Sequence, residues 1–480
     1  MTNIKFGTSG WRAIISEDFT FANVRLVVQA ISDYVKNVKT QNLPSGSTMA
    51  KKLKTVIVGY DTRFLSKEFA HEAAKVFSAN GIKVLLCDRD APTPVIAYHI
   101  IDKGCSGGIN FTASHNPPHY NGIKFSPSTG GPATPDITAI IERNIVKLQK
   151  TKKTFLGSPN EKLIKPFNPR ADYLNRIKTM VGMDVIKKAK LKIACDCLYG
   201  TSRGYLDSIL REYKLKPIIL HDYLNPYFGG KRPEPAPENI KELIRTVKRG
   251  QLDLGLATDG DADRFGIVDA DGTYITPNEV IVLLLYHFLN NRKTEKQTVA
   301  RTVATTHMID AIAKKHNIEL LETPVGFKYF VESILSGDCI IAGEESGGLS
   351  ISGHVPEKDG ILACLLIAEM RAMEKRPISS ILSSIYKKYG KLYFHRMDLD
   401  FTDEKKDAVM KKLSSGTLSK FAGQDIVNRD TIDGTRFFLR DGTWVLFRPS
   451  GTEPIVRIYF ESAFKKSLKA AEKAVSRLVE

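Results

Sequence analysis

Ser114 stands in a short polar turn, Thr112–Ala113–Ser114–His115–Asn116–Pro117, approached by the apolar run Gly108–Ile109–Asn110–Phe111 and ended by Pro117–Pro118. A strand-like run closed by a proline-terminated turn presents its side chains outward. A serine so placed is a candidate nucleophile or phosphoryl carrier. Thr112 and Asn116 stand where a G-x-S-x-G elbow requires glycine, so the serine-hydrolase elbow is excluded. His115 adjoins the serine, and neighbours on an extended chain face opposite ways, so a simple Ser/His dyad is not expected. Lys124, ten positions past Ser114, can fold back onto the same place as a general acid/base or a phosphate clamp; a solvated surface lysine is the alternative.

Three further loops carry chemistry. Thr258–Asp259–Gly260–Asp261–Ala262–Asp263–Arg264 puts carboxylates at alternate positions, which on an extended loop point to one side. Converging carboxylates repel unless a cation sits among them, and oxygen-only ligands suit a hard ion, Mg²⁺ foremost. A calcium EF-hand is excluded, because Arg264 takes its glycine position and Ala270 its glutamate position. A metal-free acidic turn is the alternative. In Gly343–Glu344–Glu345–Ser346–Gly347–Gly348, Glu344 and Ser346 lie two apart and suit vicinal sugar hydroxyls. In Arg448–Pro449–Ser450–Gly451–Thr452–Glu453–Pro454, the guanidinium, two hydroxyls and the Gly451 amide suit a phosphate, with a hairpin turn as the alternative. Gly7–Thr8–Ser9–Gly10–Trp11–Arg12 forms a further turn able to hold an anion through its amides and Arg12.

The elements that must position these loops alternate strand and helix. Thr55–Tyr60, Ile82–Cys87, Leu191–Cys195, Leu252–Ala257, Thr298–Val303 and Cys339–Ala342 read as buried strands. Phe21–Val38, Lys67–Asn80, Tyr173–Val181, Glu279–Asn290, Met308–His316 and a segment from Ile361 read as helices. This predicts an α/β chain of three similar units with mixed sheets, residues 1–150, 165–274 and 275–388. Residues 389–480, with strands Gly442–Phe447 and Ile455–Phe460 and a helix from Phe464, form an α+β unit. Lys150–Pro169, rich in Lys, Pro, Gly and Ser, reads as a linker.

With 480 residues, 42% of them hydrophobic and 26% charged, the chain is globular and multidomain. Its longest apolar stretch, Val280–Leu285, is too short to span a membrane, and Met1–Lys5 lacks the apolar core of a signal peptide. The six cysteines show no zinc-ligand spacing, and buried free thiols in a reducing compartment are expected. The net charge of +17 is spread along the chain without an aromatic-interleaved stripe, which argues against a nucleic-acid partner and leaves an anionic small substrate. A cytoplasmic enzyme, monomer or dimer, is expected.

The motifs T-A-S-H-N-P (112–117), D-G-D-A-D-R (259–264), G-E-E-S-G-G (343–348) and R-P-S-G-T-E-P (448–454), in this order and spacing, resemble the α-D-phosphohexomutase superfamily over essentially the whole chain. The resemblance implies three related α/β domains and a C-terminal α+β domain around a central cleft. It implies that Ser114 carries a phosphoryl group and that Asp259, Asp261 and Asp263 bind Mg²⁺ together with an oxygen on Ser114. Arg12, His115 and Lys124 would surround the phosphoserine, with His354 a second acid/base group. Arg264, Gly326, Lys328, Glu344, Ser346 and Lys358 would contact the sugar, and Arg448, Ser450, Gly451, Thr452 and Arg457 the non-reacting phosphate. The implied reaction converts glucose 1-phosphate to glucose 6-phosphate through glucose 1,6-bisphosphate. Many phosphomannomutase-type members carry histidine at the position of Gly348, whereas T-P-V-G-F-K-Y (323–329) is similar to glucose-type members. Dual glucose/mannose specificity is the nearest alternative, and a non-catalytic sugar-phosphate-binding relative the alternative of another class.

Overall fold

The computed structural model describes residues 4–7, 9–38, 54–151, 157–449 and 455–479. The apolar runs assemble into four sheets. In the first, Thr55–Tyr60 runs parallel between Lys83–Cys87 and Gly107–Phe111, and Tyr120–Pro127 returns antiparallel along Gly107–Phe111. The second places Ile193–Asp196 parallel between Ile218–Leu220 and Leu254–Thr258, with Phe265–Asp269 antiparallel beyond. The third places Thr298–Thr302 parallel between Glu319–Thr323 and Cys339–Glu344, with Gly348–Ser350 antiparallel beyond. One strand order therefore recurs three times. In each repeat the link from the last parallel strand to the antiparallel one is a chemistry-bearing loop: 112–119, 259–264 and 345–347. Such loops leave from the carboxyl ends of parallel strands, where open α/β sheets bind ligands.

The fourth sheet is antiparallel throughout, and the helix Lys465–Val479 packs on it. The expected phosphate loop links two of its neighbouring strands, Trp444–Pro449 and Ile455–Ser462. Ser450, Gly451 and Thr452 lie outside the described residues, as does Thr8.

Composition misread one segment. Ile164–Phe167, inside the stretch expected to be a linker, is an edge strand of the first sheet, parallel to Lys83–Cys87. Its lysine and proline (Ile164–Lys165–Pro166–Phe167) are residues that edge strands tolerate, because one row of their backbone groups has no partner strand to serve.

Side-chain caps set the helix starts. Thr276 and Glu279 form a capping box on Pro277–Asn290. Asp359 accepts the Leu362 amide at 2.9 Å and starts Gly360–Glu374. That helix is buried at 13 of its 15 residues, as expected of a helix apolar on every side. It packs on strands of both the second and third sheets. The two units therefore share one apolar cluster, whereas the first and fourth have their own. The fourth unit meets the third where Arg436 grips Glu322 with two bonds (2.7 and 2.8 Å) and Trp444 and Tyr459 pack against Val303 and Ala304. The result is a fused centre flanked by two separately cored units around the cleft.

Candidate active site

The serine turn is gripped from beneath. Arg63, buried and paired with Asp61 at 3.1 Å, donates to the carbonyls of Ser114 (2.6 Å), Asn116 (2.7 Å), Pro117 (2.8 Å) and Tyr120 (3.0 Å). This bends the loop, and Ser114 takes a left-handed φ of +50°, a conformation rarely adopted by residues other than glycine and asparagine. Two expectations fail for that reason. Ser114 is buried and not presented outward, and the rule that neighbours point apart does not hold: His115 Nδ1 lies 3.4 Å from Ser114 Oγ. Burial, then the charges of Arg264 and Arg12, hold the His115 imidazole well below its ordinary pKa. Arg12 reaches the same loop, donating to Asn116 Oδ1 at 2.8 Å.

The aspartate loop comes from the second unit and meets the serine directly. Ser114 Oγ donates to Asp259 Oδ2 at 2.7 Å. Asp259, Asp261 and Asp263 are all buried and offer carboxylate oxygens within 4.8 Å of one another. They converge because the loop curls, with Ala262 at φ +56°, and not by the alternation of an extended chain. The turn is fixed from its own unit and from two neighbouring ones: the Thr201 amide donates to the Gly260 carbonyl, the Thr93 amide to the Asp261 carbonyl and the Gly360 amide to the Ala262 carbonyl. A Cβ on Gly360 would fall 2.2 Å from the Arg264 carbonyl oxygen, so only glycine lets the buried helix approach this loop.

Charge in the trio is balanced from two lysines. Lys124 Nζ lies 2.6 Å from Asp261 Oδ2 and 2.7 Å from Asp263 Oδ2, and Lys358 Nζ lies 3.2 Å from the latter. Lys124 is therefore buried between carboxylates and not a solvated surface lysine. Burial and the two companion carboxylates push Asp259 well above the usual carboxylate range. Burial acts on Asp263 in the same direction, but Lys124, Lys358 and Arg264 outweigh it and hold Asp263 well below. Asp261 Oδ1 and Asp263 Oδ1 are buried without any hydrogen-bond partner. Orphaned carboxylate oxygens beside a serine hydroxyl form an oxygen-only donor set, which fits Mg²⁺.

The third unit adds the loop 345–347, expected at the sugar. Glu344 ends its strand and accepts the Gly326 amide at 2.9 Å. Burial raises its carboxyl to about 7, against the opposing pull of Lys358 and Arg264. Ser346 lies in the hairpin turn beyond the strand end, so strand alternation does not extend to it. The turn is tied to the aspartate loop by the Phe265 amide, which donates to the Gly347 carbonyl. Gly348 is explained by Lys358: a Cβ there would meet Lys358 Cδ at 2.2 Å. The lysine stem fills the place that a larger residue would occupy. Arg264 donates to Glu234 Oε1 at 2.8 Å, and its backbone amide donates to Asp259 Oδ1.

The fourth unit faces this loop with a cluster of arginines. Arg448 is paired with Asp433 at 2.7 Å, and Asp433 also accepts the Val325 amide. Arg457 lies opposite Arg448 on the adjacent strand. Lys328 stacks its ammonium on Tyr329, and burial lowers its pKa. Glu345 is pushed up by burial and pulled back by Arg396 and Arg448. His354 is placed differently from the rest: its Nε2 bonds Asp359 Oδ2 at 2.7 Å, which also accepts the Tyr173 hydroxyl at 2.7 Å. It braces the cap of the buried helix, and no described contact joins it to Ser114.

Sequence reasoning missed Asp61, Arg63, Thr93, Glu234 and Arg396. For Asp61 and Arg63 the available signal was two opposite charges directly after a buried strand, Thr55–Tyr60. For Thr93, Glu234 and Arg396 no local pattern distinguishes them, because the site residues they bear on, Asp261, Arg264 and Glu345, belong to other loops.

Comparison with known proteins agrees with this arrangement. The models of phosphoglucomutase/phosphomannomutase alpha/beta/alpha domains I, II and III match residues 3–152, 171–272 and 276–389, and that of the C-terminal domain matches 399–478. A phosphoglucomutase from Komagataeibacter xylinus is 32% identical, over 99% of this chain and 91% of its own. A probable phosphoglucosamine mutase from Methanosphaera stadtmanae is 32% identical, over 98% and 96%. The crystal structure of a protein assigned as a phosphomannomutase, from Thermus thermophilus, superposes with a TM-score of 0.83 at 29% identity, covering 100% of this chain and 99% of its own. Each repeat ends its parallel strands in one loop of a single cleft, and the domain models follow one another along the chain in that same order; the chain belongs to the phosphoglucomutase/phosphomannomutase family, whose members are mutases of sugar phosphates.

Proposed function

We propose that this enzyme interconverts glucose 1-phosphate and glucose 6-phosphate, with Ser114 as the phosphoryl carrier and glucose 1,6-bisphosphate as the intermediate. The carrying observation is Ser114 Oγ at 2.7 Å from Asp259, inside a buried carboxylate trio with two orphaned oxygens. Asp259, Asp261, Asp263 and an oxygen on Ser114 would hold Mg²⁺, which supplies Lewis-acid neutralisation of charge on the transferring group.

The chain's own residues do the rest. A sugar hydroxyl attacks the phosphorus on Ser114, the P–Oγ bond breaks, the hydroxyl proton leaves to a base, and the departing Ser114 Oγ takes up a proton in exchange. Among the described residues, His115 is the imidazole beside Ser114 Oγ, and its depressed pKa keeps a lone pair available at neutral pH. Lys124, ionised between two carboxylates, serves as a positive clamp and not as a base. Glu344 accepts sugar hydroxyls, while Arg448 and Arg457, with Ser450, Gly451 and Thr452, hold the other phosphate. The bisphosphate turns over and returns its second phosphoryl group to Ser114, so this cradle must accept either end of the sugar. Gly348 with the Lys358 stem across it favours glucose over the histidine-bearing mannose type.

The test is the initial rate on glucose 1-phosphate with Mg²⁺ and a trace of glucose 1,6-bisphosphate, run beside mannose 1-phosphate and glucosamine 1-phosphate. Glucose is expected to be faster by about tenfold, the worth of one well-placed hydroxyl contact. Equal rates on mannose would replace the proposal with dual specificity. No rate on glucose from protein whose serine is phosphorylated by intact mass would sink it.

Glu344 makes the acid side of this activity predictable. Only its ionised form accepts two hydroxyls, so kcat/KM should fall about tenfold per unit below a midpoint near pH 7. In Glu344→Gln the overall rate drops and that limb vanishes; an unchanged limb would show that another group titrates.

A further inference from the structure

A second group of ligand-type side chains lies outside the cleft. His99, Asp102 and Asp172 offer an imidazole nitrogen and two carboxylate oxygens, all within 4.8 Å of one another. His99 and Asp102 are on the helix Thr93–Asp102 of the first unit, and Asp172 is in the first turn of Arg170–Met180, which opens the second.

The imidazole is the decisive part. It is fully buried, 0% exposed, and held edge-on to Phe167 with centroids 4.8 Å apart. Its Nε2 lies 2.7 Å from the Pro169 carbonyl oxygen. A carbonyl only accepts, so Nε2 carries the ring proton and Nδ1 the lone pair. Nδ1 has no hydrogen-bond partner and lies 3.8 Å from Asp102 Oδ2. Burial, the largest influence, lowers the pKa of this imidazole and keeps the lone pair available. One imidazole nitrogen fixed by a backbone carbonyl, with the other facing carboxylates, is how proteins orient a metal-ligating histidine. The two carboxylates share one cation: Lys103 Nζ is 2.8 Å from Asp102 and 2.7 Å from Asp172. That ammonium leaves Nδ1 unused.

We propose that His99 Nδ1, Asp102 and Asp172 form a site for one transition dication of the Zn²⁺ class, which displaces the Lys103 ammonium and joins the first unit to the second. A nitrogen ligand with few oxygens suits Zn²⁺ and not Mg²⁺. Bonds of about 2.0–2.2 Å require the solvent-facing carboxylates to close by about 1 Å. The other end of the same helix begins at Thr93, which donates to Asp261 through its amide and hydroxyl. A metal at one end therefore steadies the element that holds the aspartate loop at the other.

The test is Zn²⁺ competition against a chromophoric chelator, on the full chain in millimolar Mg²⁺ so that the aspartate trio is filled, with Co²⁺ absorption as the signature of a nitrogen-containing site. One equivalent is expected. Asp172→Asn, a surface change that spares the core, should weaken it ten- to a hundredfold, and His99→Gln at least as much. Lys103→Met, which removes the competing cation, should tighten it about tenfold. Absence of Zn²⁺ binding by the wild type, or binding unchanged in Asp172→Asn, overturns the proposal.

Discussion

Ser114→Ala is expected to lower turnover by about 10⁴-fold or more, the scale seen when an enzyme loses its covalent carrier. The carrier oxygen has no substitute: the other hydroxyl of the motif, Thr112, is committed to the Ser114 amide at 2.9 Å. Loss of shape will not be the cause. Arg63 grips the loop by its carbonyls, which alanine retains, so the turn should persist. The energetic loss is the buried hydrogen bond to Asp259 and the longer one to His115, about 1–3 kcal/mol. Thermal melts should thus move by a few degrees, while phosphate on residue 114 disappears from the intact mass and the mutase rate collapses. A variant that keeps a tenth of the wild-type rate would remove Ser114 from the mechanism.

Lys124→Met should give the largest stability effect. It strips from Asp261 and Asp263, both buried, the ammonium they share at 2.6 and 2.7 Å. Uncovering a buried charge in this way costs about 3–5 kcal/mol. Asp263 keeps Lys358 at 3.2 Å, so Asp261 bears most of the loss, with the Thr93 hydroxyl at 2.5 Å as its remaining side-chain partner. The sign of the Mg²⁺ response follows. On the proposed metal site, lysine and Mg²⁺ compete for the same carboxylates, so the variant should melt well below wild type in chelator and gain more than wild type from added Mg²⁺. Equal gains in the two proteins would mean that the lysine and the metal do not share ligands. Turnover should fall even at saturating Mg²⁺, because the positive clamp proposed for the transferring phosphoryl group is gone.

Much of this arrangement was legible in the chain. The strand runs stop where polar loops begin, and a parallel strand buried on both faces reads as one continuous apolar word, as in Thr55–Tyr60 and Cys339–Glu344. The loops therefore announced themselves, and so did their residue types. Their internal shapes did not. Ser114 and Ala262 adopt positive φ under tertiary constraint, which no local pattern signals. The burial of Ser114 depends on a partner 145 positions away. His354 carried a plausible residue type, but its Nε2 is tied to Asp359 and the helix cap, a pairing that only the fold creates. The edge strand Ile164–Phe167 was hidden for the opposite reason: its composition is that of a loop, and only its neighbour makes it a strand.

The grip of Arg63 on four carbonyls has an evolutionary consequence. A carbonyl is common to all residues, so substitution along 114–120 leaves the handhold in place. The curvature of the serine loop is inherited at a distance, from a position 51 residues upstream of Ser114. The side chains flanking Ser114 can therefore be redrawn, and its surroundings retuned, without renegotiating the fold. Drift at Arg63 or Asp61 has no such freedom, because it alters every handhold at once. The curvature of the loop and its chemistry therefore sit on different residues, and those that set the curvature, Asp61 and Arg63, lie outside the loop itself.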